Sequence, residues 1–261
     1  MPNISLKPDD LNALAAQFEQ EPLKQHLFLN SVPKSGSHLL RNIIRMFVPV
    51  DQQYDQDFIQ YGNLKEHLAA FDGPPAKLSW GHLFHSDISA ITTSVARKIL
   101  LVRDPHTWVL AKARFLLSDG FSGQLDMLRK APISGGDLIS MVIFGIPGSN
   151  PSLKDTYTHN AVAWLGTDIH LVRYEELLAH VKDLESEAAE AYFSALFGAA
   201  GLHQPEDWRE RVRLGADPAN SGTARQNLSG DFSKLPKELS AIQKEMVAYA
   251  APGLRKILGY E

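Results

Sequence analysis

Six consecutive residues, Pro33-Lys34-Ser35-Gly36-Ser37-His38, separate a short apolar run, His26 to Val32, from a stretch that places Leu39, Leu40, Ile43, Ile44 and Phe47 on one face of a helix. A strand, a tight glycine turn and a helix start, in that order, make an anion site. Unpaired backbone N–H groups and the positive helix end converge on one point, and Lys34 adds a full charge. The spelling is not Walker A, since no G-x-x-x-x-G-K-[ST] occurs and the lysine precedes the glycine. On loop shape alone, a solvated turn at Lys34 and Ser35 is an equal reading. Charge also gathers at two other strand ends, Arg103-Asp104-Pro105 and Arg173-Tyr174. His82 and His85 are candidates for proton transfer near neutrality. Their i, i+3 spacing also suits a metal, but with no cysteine and no carboxylate cluster nearby no metal site is expected.

Those residues need elements to hold them. Lys98 to Val102 reads as a strand ended by Arg103, and Asp104-Pro105 as an N-cap with proline at the first helical position of a helix reaching Leu117. Ile169 to Val172 reads as a third strand before a helical run from Glu175 to Leu184. Pro8 to Gln20 reads as a short amphipathic helix. Lys237 to Leu258 reads as a helix with Leu239, Ile242, Met246 and Val247 turned inward. Strands alternating with helices predict a parallel sheet, with ligands at the carboxyl ends of the strands. The glycine-, proline- and serine-rich stretch from 120 to 152 reads as a mobile lid or substrate-pocket wall. Trp80, Trp108 and Trp164 read as core or pocket-wall residues.

Across its 261 residues the chain carries 26 Lys+Arg against 30 Asp+Glu, a formal charge of −4, which excludes a generic polyanion binder. Nucleic acid is not an expected partner. A 44% hydrophobic and 21% charged composition is that of an ordinary globular chain, read as one domain over 1–261. The absence of cysteine excludes a disulfide framework and thiol catalysis. No apolar run approaches the roughly 18 to 20 residues of a membrane span. A soluble, cytoplasmic protein without a membrane partner is the expectation.

Four segments in order give the chain a family likeness. Pro33-Lys34-Ser35-Gly36-Ser37-His38-Leu39-Leu40 resembles the P-K-S-G-T-T-W-L loop of cytosolic-type sulfotransferases, which holds the 5′-phosphosulfate of 3′-phosphoadenosine 5′-phosphosulfate (PAPS). Arg103-Asp104-Pro105 resembles their R-N/D-P segment, whose arginine binds the 3′-phosphate. Tyr174-Glu175-Glu176-Leu177 resembles the Y-E-D-L segment near the adenine. Arg225-Gln226-Asn227-Leu228-Ser229-Gly230-Asp231-Phe232 resembles the R-K-G-x-x-G-D-W loop that closes over the 3′-phosphate.

The resemblance implies an α/β domain with a central parallel sheet flanked by helices, a P-loop-like phosphosulfate-binding loop, PAPS as sulfuryl donor and a small-molecule acceptor. It requires no metal and is compatible with a homodimer. It implies that Lys34, Ser35, Gly36, Ser37 and His38 hold the phosphosulfate, and that Arg103, Tyr174, Arg225, Gln226 and Asn227 hold the rest of the nucleotide. Trp80-Gly81-His82-Leu83-Phe84 resembles the segment K-T-H-L-P, which makes His82 the general base, with His85 as the runner-up. Tyr174 is read equally as an adenine contact and as a strand-end aromatic. The departures are Ala111 where the family has a serine, Trp80 for its lysine, Gln226 and Asn227 for lysine and glycine, and Phe232 for tryptophan. The alternatives are a nucleotide-dependent kinase on a related phosphate-loop fold and a non-catalytic nucleotide-binding protein.

Overall fold

The computed structural model describes residues 9–54, 58–118, 132–221, 224 and 227–261. The chain divides into two compact units, one of Pro8–Val102 with His159–Asn220 and one of Arg103–Thr158 with Ser221–Glu261. The first unit carries a single five-stranded parallel sheet of β1 (Leu27–Ser31), β2 (Ile59–Gln60), β3 (Leu78–His82), β4 (Arg97–Val102) and β5 (His170–Arg173), in the order β2-β3-β1-β4-β5. The fold class is therefore α/β, as expected from the alternation of strands and helices.

All five residues of β1 are buried, as a strand flanked on both edges and covered on both faces requires. After β1 the chain builds β2 and β3 on one side and then β4 and β5 on the other, so the order of strands reverses at the carboxyl end of β1. In an open α/β sheet that is where a ligand binds. The α-helices of this unit include α1 (Leu11–Ala15) and α2 (Ser37–Arg45). Helix α2 buries Leu40, Ile43 and Ile44. It is approached closely by the helix Trp208–Gly215, where a Cβ on Gly215 would lie 2.7 Å from Asn42 O. Arg45 on α2 anchors the chain before α1 through a two-pronged pair with Asp9 at 2.9 and 3.0 Å.

The second unit is built on helices among the described residues. Helix α3 (Pro105–Leu117) has the expected start, with Asp104 accepting from His106 N at 2.9 Å and proline at the first turn. Arg255 grips the same carboxylate at 3.1 and 3.2 Å, tying the last turns of the chain to this cap. Of the expected lid, residues 119–131 lie outside the described residues. Gly135–Phe144 is a helix whose Leu138, Ile139, Val142 and Ile143 are buried, so this part is core and not a loop wall. The C-terminal helix is also shorter than the periodicity predicts. It spans Ala241–Ala250, stops where Gly253 adopts φ +73, and resumes as Leu254–Ile257. Ile242, expected inside, is 63% exposed, because the apolar face turns on Val247. Trp80, Trp108 and Trp164 are all buried. Among the described residues no helix is long and apolar enough to cross a membrane.

Candidate functional site

The loop after β1 has the backbone of an anion cradle. Lys34 at φ +71 and Gly36 at φ +97 bracket Ser35, whose amide donates to Val32 O at 3.1 Å and closes the turn, so the amides left for an anion are those from Gly36 into the start of α2. A lysine at positive φ is strained by about 1–3 kcal/mol, a cost tolerated chiefly where function over-determines the backbone. Helix α2 starts without a side-chain cap, and Leu39 is the first residue of the turn whose amide bonds back, to Gly36 O at 2.9 Å. Its first amides are thus the ordinary orphans of a helix start. Ser35 is fully buried, and its Oγ has no hydrogen-bond partner among the described residues. An orphaned hydroxyl inside an amide-lined turn is a donor waiting for an acceptor.

Tyr174, the first residue of the helix Tyr174–Lys182 after β5, lies on this loop. A Cβ on Gly36 would collide with Tyr174 Cδ2 and sit 2.6 Å from Cε2. The ring therefore packs edge-on against the glycine of the turn. Sequence reasoning placed Tyr174 at a strand end and left its partner open.

His82, the last residue of β3, faces the same end of the sheet. Its Nδ1 lies 3.0 Å from the Ser31 carbonyl oxygen and 3.0 Å from Ser31 Oγ, and Ser31 Oγ lies 2.8 Å from Ser37 Oγ. A carbonyl oxygen only accepts, so Nδ1 carries the hydrogen and Nε2 is the nitrogen able to take a proton. Directly after it, Leu83 is clamped by buried Asn30, whose amide donates to Leu83 O at 3.1 Å and whose oxygen accepts from Leu83 N at 2.8 Å. The imidazole is thus tied to the end of β1, and through Ser37 to the first residue of α2. Neither Ser31 nor Asn30 was singled out from sequence; a run of polar residues ending an otherwise apolar strand was the available signal.

His85 is placed differently. Its amide donates to His159 O at 3.0 Å and its ring stands edge-on to Trp164 at 4.9 Å, a packing role. With His82 ending a strand, the two histidines do not share a helical face. His38 packs edge-on against Trp80 at 5.3 Å. Burial, joined by the charges of Lys34, Arg41 and His82, pulls its imidazole down to about 3. At neutral pH it offers a ligand its backbone amide and not a cation.

The second unit holds Arg103 just beyond β4. Its Nε donates to Thr107 Oγ1 at 3.0 Å and its carbonyl accepts from Tyr157 O–H at 2.7 Å, so the residue is oriented from two sides. Beside Ala111, burial lowers the Lys112 amine to about 8. Arg225 and Gln226 lie outside the described residues. Asn227 donates from its side chain to Ser221 O at 2.7 Å, which holds the loop's own backbone. Among the described residues no group of three metal-ligating side chains occurs.

The parallel sheet with its order reversal after β1, and the helices around it, define a known fold. The chain is similar to mouse sulfotransferase SULT7A1 complexed with PAP, with a TM-score of 0.54 and 13% identity over 96% of this chain and 92% of that one. It is also similar to retinol dehydratase in complex with androsterone and inactive cofactor PAP, with a TM-score of 0.51 and 15% identity over 90% and 80% of the two chains. No family model and no curated protein matches the sequence. At such identities the likeness establishes the fold these sulfotransferase structures share.

Proposed function

We propose that this chain is a sulfotransferase that moves a sulfuryl group from PAPS to a hydroxyl or amine of a small-molecule acceptor, with His82 as general base. The observation that carries the reading is the tautomer of His82, fixed through Nδ1 by Ser31 O at 3.0 Å and linked through Ser31 Oγ and Ser37 Oγ to the anion cradle. The neighbours of the same fold are described with PAP, the desulfated nucleotide.

The residues fit such a donor. The orphaned Ser35 Oγ, the cradle at Lys34 and Gly36 and the open start of α2 supply hydrogen-bond donors for a 5′-phosphate. When bound, PAPS supplies a sulfuryl group carried on phosphate, together with a separate 3′-phosphate. Lys34 places its charge where negative charge grows on the leaving oxygen. His82 Nε2 takes the acceptor proton, and Ser31 holds the ring in the orientation that transfer needs. Arg103, with Arg225 and Gln226 of the late loop, receives the 3′-phosphate, Asn227 shapes that loop, and Tyr174 borders the nucleotide. The reading treats 1–261 as one sulfotransferase unit in the cytoplasm and allows a homodimer.

The test is a pair of substitutions three residues apart. His82→Asn should lower transfer of labelled sulfate from PAPS by about 10²–10⁴-fold, the usual worth of a positioned base, while PAP affinity and melting temperature stay near wild type. His85→Asn should lose stability through the Trp164 contact and keep most of its turnover. Full activity in His82→Asn overturns the assignment. PAP binding with no transfer to any acceptor by the wild type favours a non-catalytic nucleotide-binding protein, the reading that Trp80 and Ala111 support.

A further inference from the structure

One cation beside this site has no task in the reaction just described. Arg41, half-buried on α2, lays its guanidinium over Trp80, with Cζ 4.8 Å from the ring centroid. Among the described residues no hydrogen bond or ion pair holds that guanidinium; the ring contact is its one close interaction. The carboxylate that acts on it, Asp9, is already engaged by Arg45, with Oδ2 accepting from Arg45 at 2.9 Å and Oδ1 from Arg45 at 3.0 Å and Leu11 N at 3.1 Å. Burial lowers Arg41 to about 10, and the like charge of Arg45 adds to that. A desolvated cation whose carboxylate is already shared is costly, and a ligand that brings the opposite charge lowers that cost.

The surroundings say which ligand. Trp80 joins Arg41 to His38 at 5.3 Å and to Phe58 at 5.6 Å, and Phe58 in turn meets the His82 ring at 5.4 Å. A chain of ring contacts therefore links the guanidinium to the imidazole through the buried Trp80. The helix start and Lys34 already serve the donor. Arg41 sits four residues into α2, about 6 Å further along the axis, and its guanidinium is turned onto the Trp80 ring, from which Phe58 leads on to His82.

We infer that Arg41 binds an anionic group carried by the acceptor, and that the acceptor is an aromatic alcohol or phenol bearing a carboxylate or similar anion at the end opposite its reacting hydroxyl. The inference rests on the reading that His82 faces the acceptor. Planar guanidinium suits a carboxylate in two-pronged contact while stacked on an indole, which an ammonium cannot match.

Calorimetry tests it with 4-hydroxybenzoate and its neutral isostere 4-hydroxybenzamide, with and without PAP. The wild type should prefer the benzoate by about tenfold or more. In Arg41→Gln the ratio should fall to near one, and Arg41→Lys should keep part of it; circular dichroism checks that both variants fold. Equal affinities in the wild type, or binding of neither compound, overturn the inference, as does an unchanged ratio in Arg41→Gln. Weaker PAPS binding in Arg41→Gln with the benzoate ratio intact also overturns it, since the anion is then the donor's. If the preference is present and depends on Arg41 while no acceptor is ever sulfated, the inference stands and the sulfuryl-transfer reading fails.

Discussion

Gly36→Ala probes the cradle at its tightest point, and its cost can be worked from two independent terms. The backbone there sits at φ +97, where a side chain is disfavoured by about 1–2 kcal/mol. The new methyl would also run into the Tyr174 ring, with Cε2 at 2.6 Å and Cγ at 3.5 Å from the built Cβ. Forcing extra volume into such a contact costs about 1–3 kcal/mol. The sum, about 2–5 kcal/mol, is a sizeable share of the roughly 5–15 kcal/mol that holds a domain together. Urea denaturation of wild type, Gly36→Ala, Tyr174→Ala and the double variant separates the terms. With the ring gone, the alanine should cost only the backbone share, so the cycle should show a coupling of about 1–3 kcal/mol between the two positions. A Gly36→Ala protein within 0.5 kcal/mol of wild type, or equal losses in both backgrounds, would refute the packing argument. PAP affinity should fall with the single variant, because the cradle cannot close around a displaced ring.

Two further outcomes can be measured. Lys34→Ala and Lys34→Gly should both depress turnover by at least tenfold while weakening PAP binding less. The glycine variant should be the more stable of the two by about 1 kcal/mol, because it relieves the φ of +71; equal stabilities in urea would contradict that. The second concerns acid. His38 titrates near 3 in the folded chain, below its ordinary 6.5, so above pH 6.5 both states are neutral and it contributes nothing. As pH falls from 6.5 toward 3 the unfolded chain takes up a proton that the folded imidazole refuses, and stability drops by up to about 1.4 kcal/mol per pH unit. His38→Gln should flatten the slope of stability between pH 6 and 4; superimposable slopes would sink the claim. His26, His106 and His170, also lowered chiefly by burial, add acid sensitivity of the same sign.

What could be read from the sequence was what is written locally. The apolar run of β1, the glycine turn, and the Asp104-Pro105 start with its helix end at Leu117 all came from adjacent residues and all lie where expected. β2 was missed because two residues at a sheet edge carry no period. The clamp of Asn30 on Leu83 and the contact of Ser31 with His82 span about fifty residues and exist only through the β1–β3 register, Asn30 opposite Gly81. Arg41 and Arg45 lie four residues apart on α2, and nothing in that spacing tells them apart. That, among the described residues, Arg45 is hydrogen-bonded to a carboxylate and Arg41 is not depends on where Asp9 falls in space. Ile242 was misplaced because it lies five residues before Val247, about 140° around the helix, so the face that buries Val247 turns Ile242 outward.

The central place of β1 has a consequence for how the protein is made. Its two edges wait for partners encoded far downstream, β3 ending at His82 and β4 ending at Val102. During vectorial synthesis at about 5–20 residues per second, the 71 residues from Ser31 to Val102 take about 4–14 s to appear. Both edges of the apolar ribbon Leu27-Phe28-Leu29 stay open until His82 has appeared and one stays open until Val102, and meanwhile the strained turn behind it lacks the packing that enforces its shape. The nascent chain is therefore most exposed to mispairing or chaperone capture at the strand that later carries the chemistry.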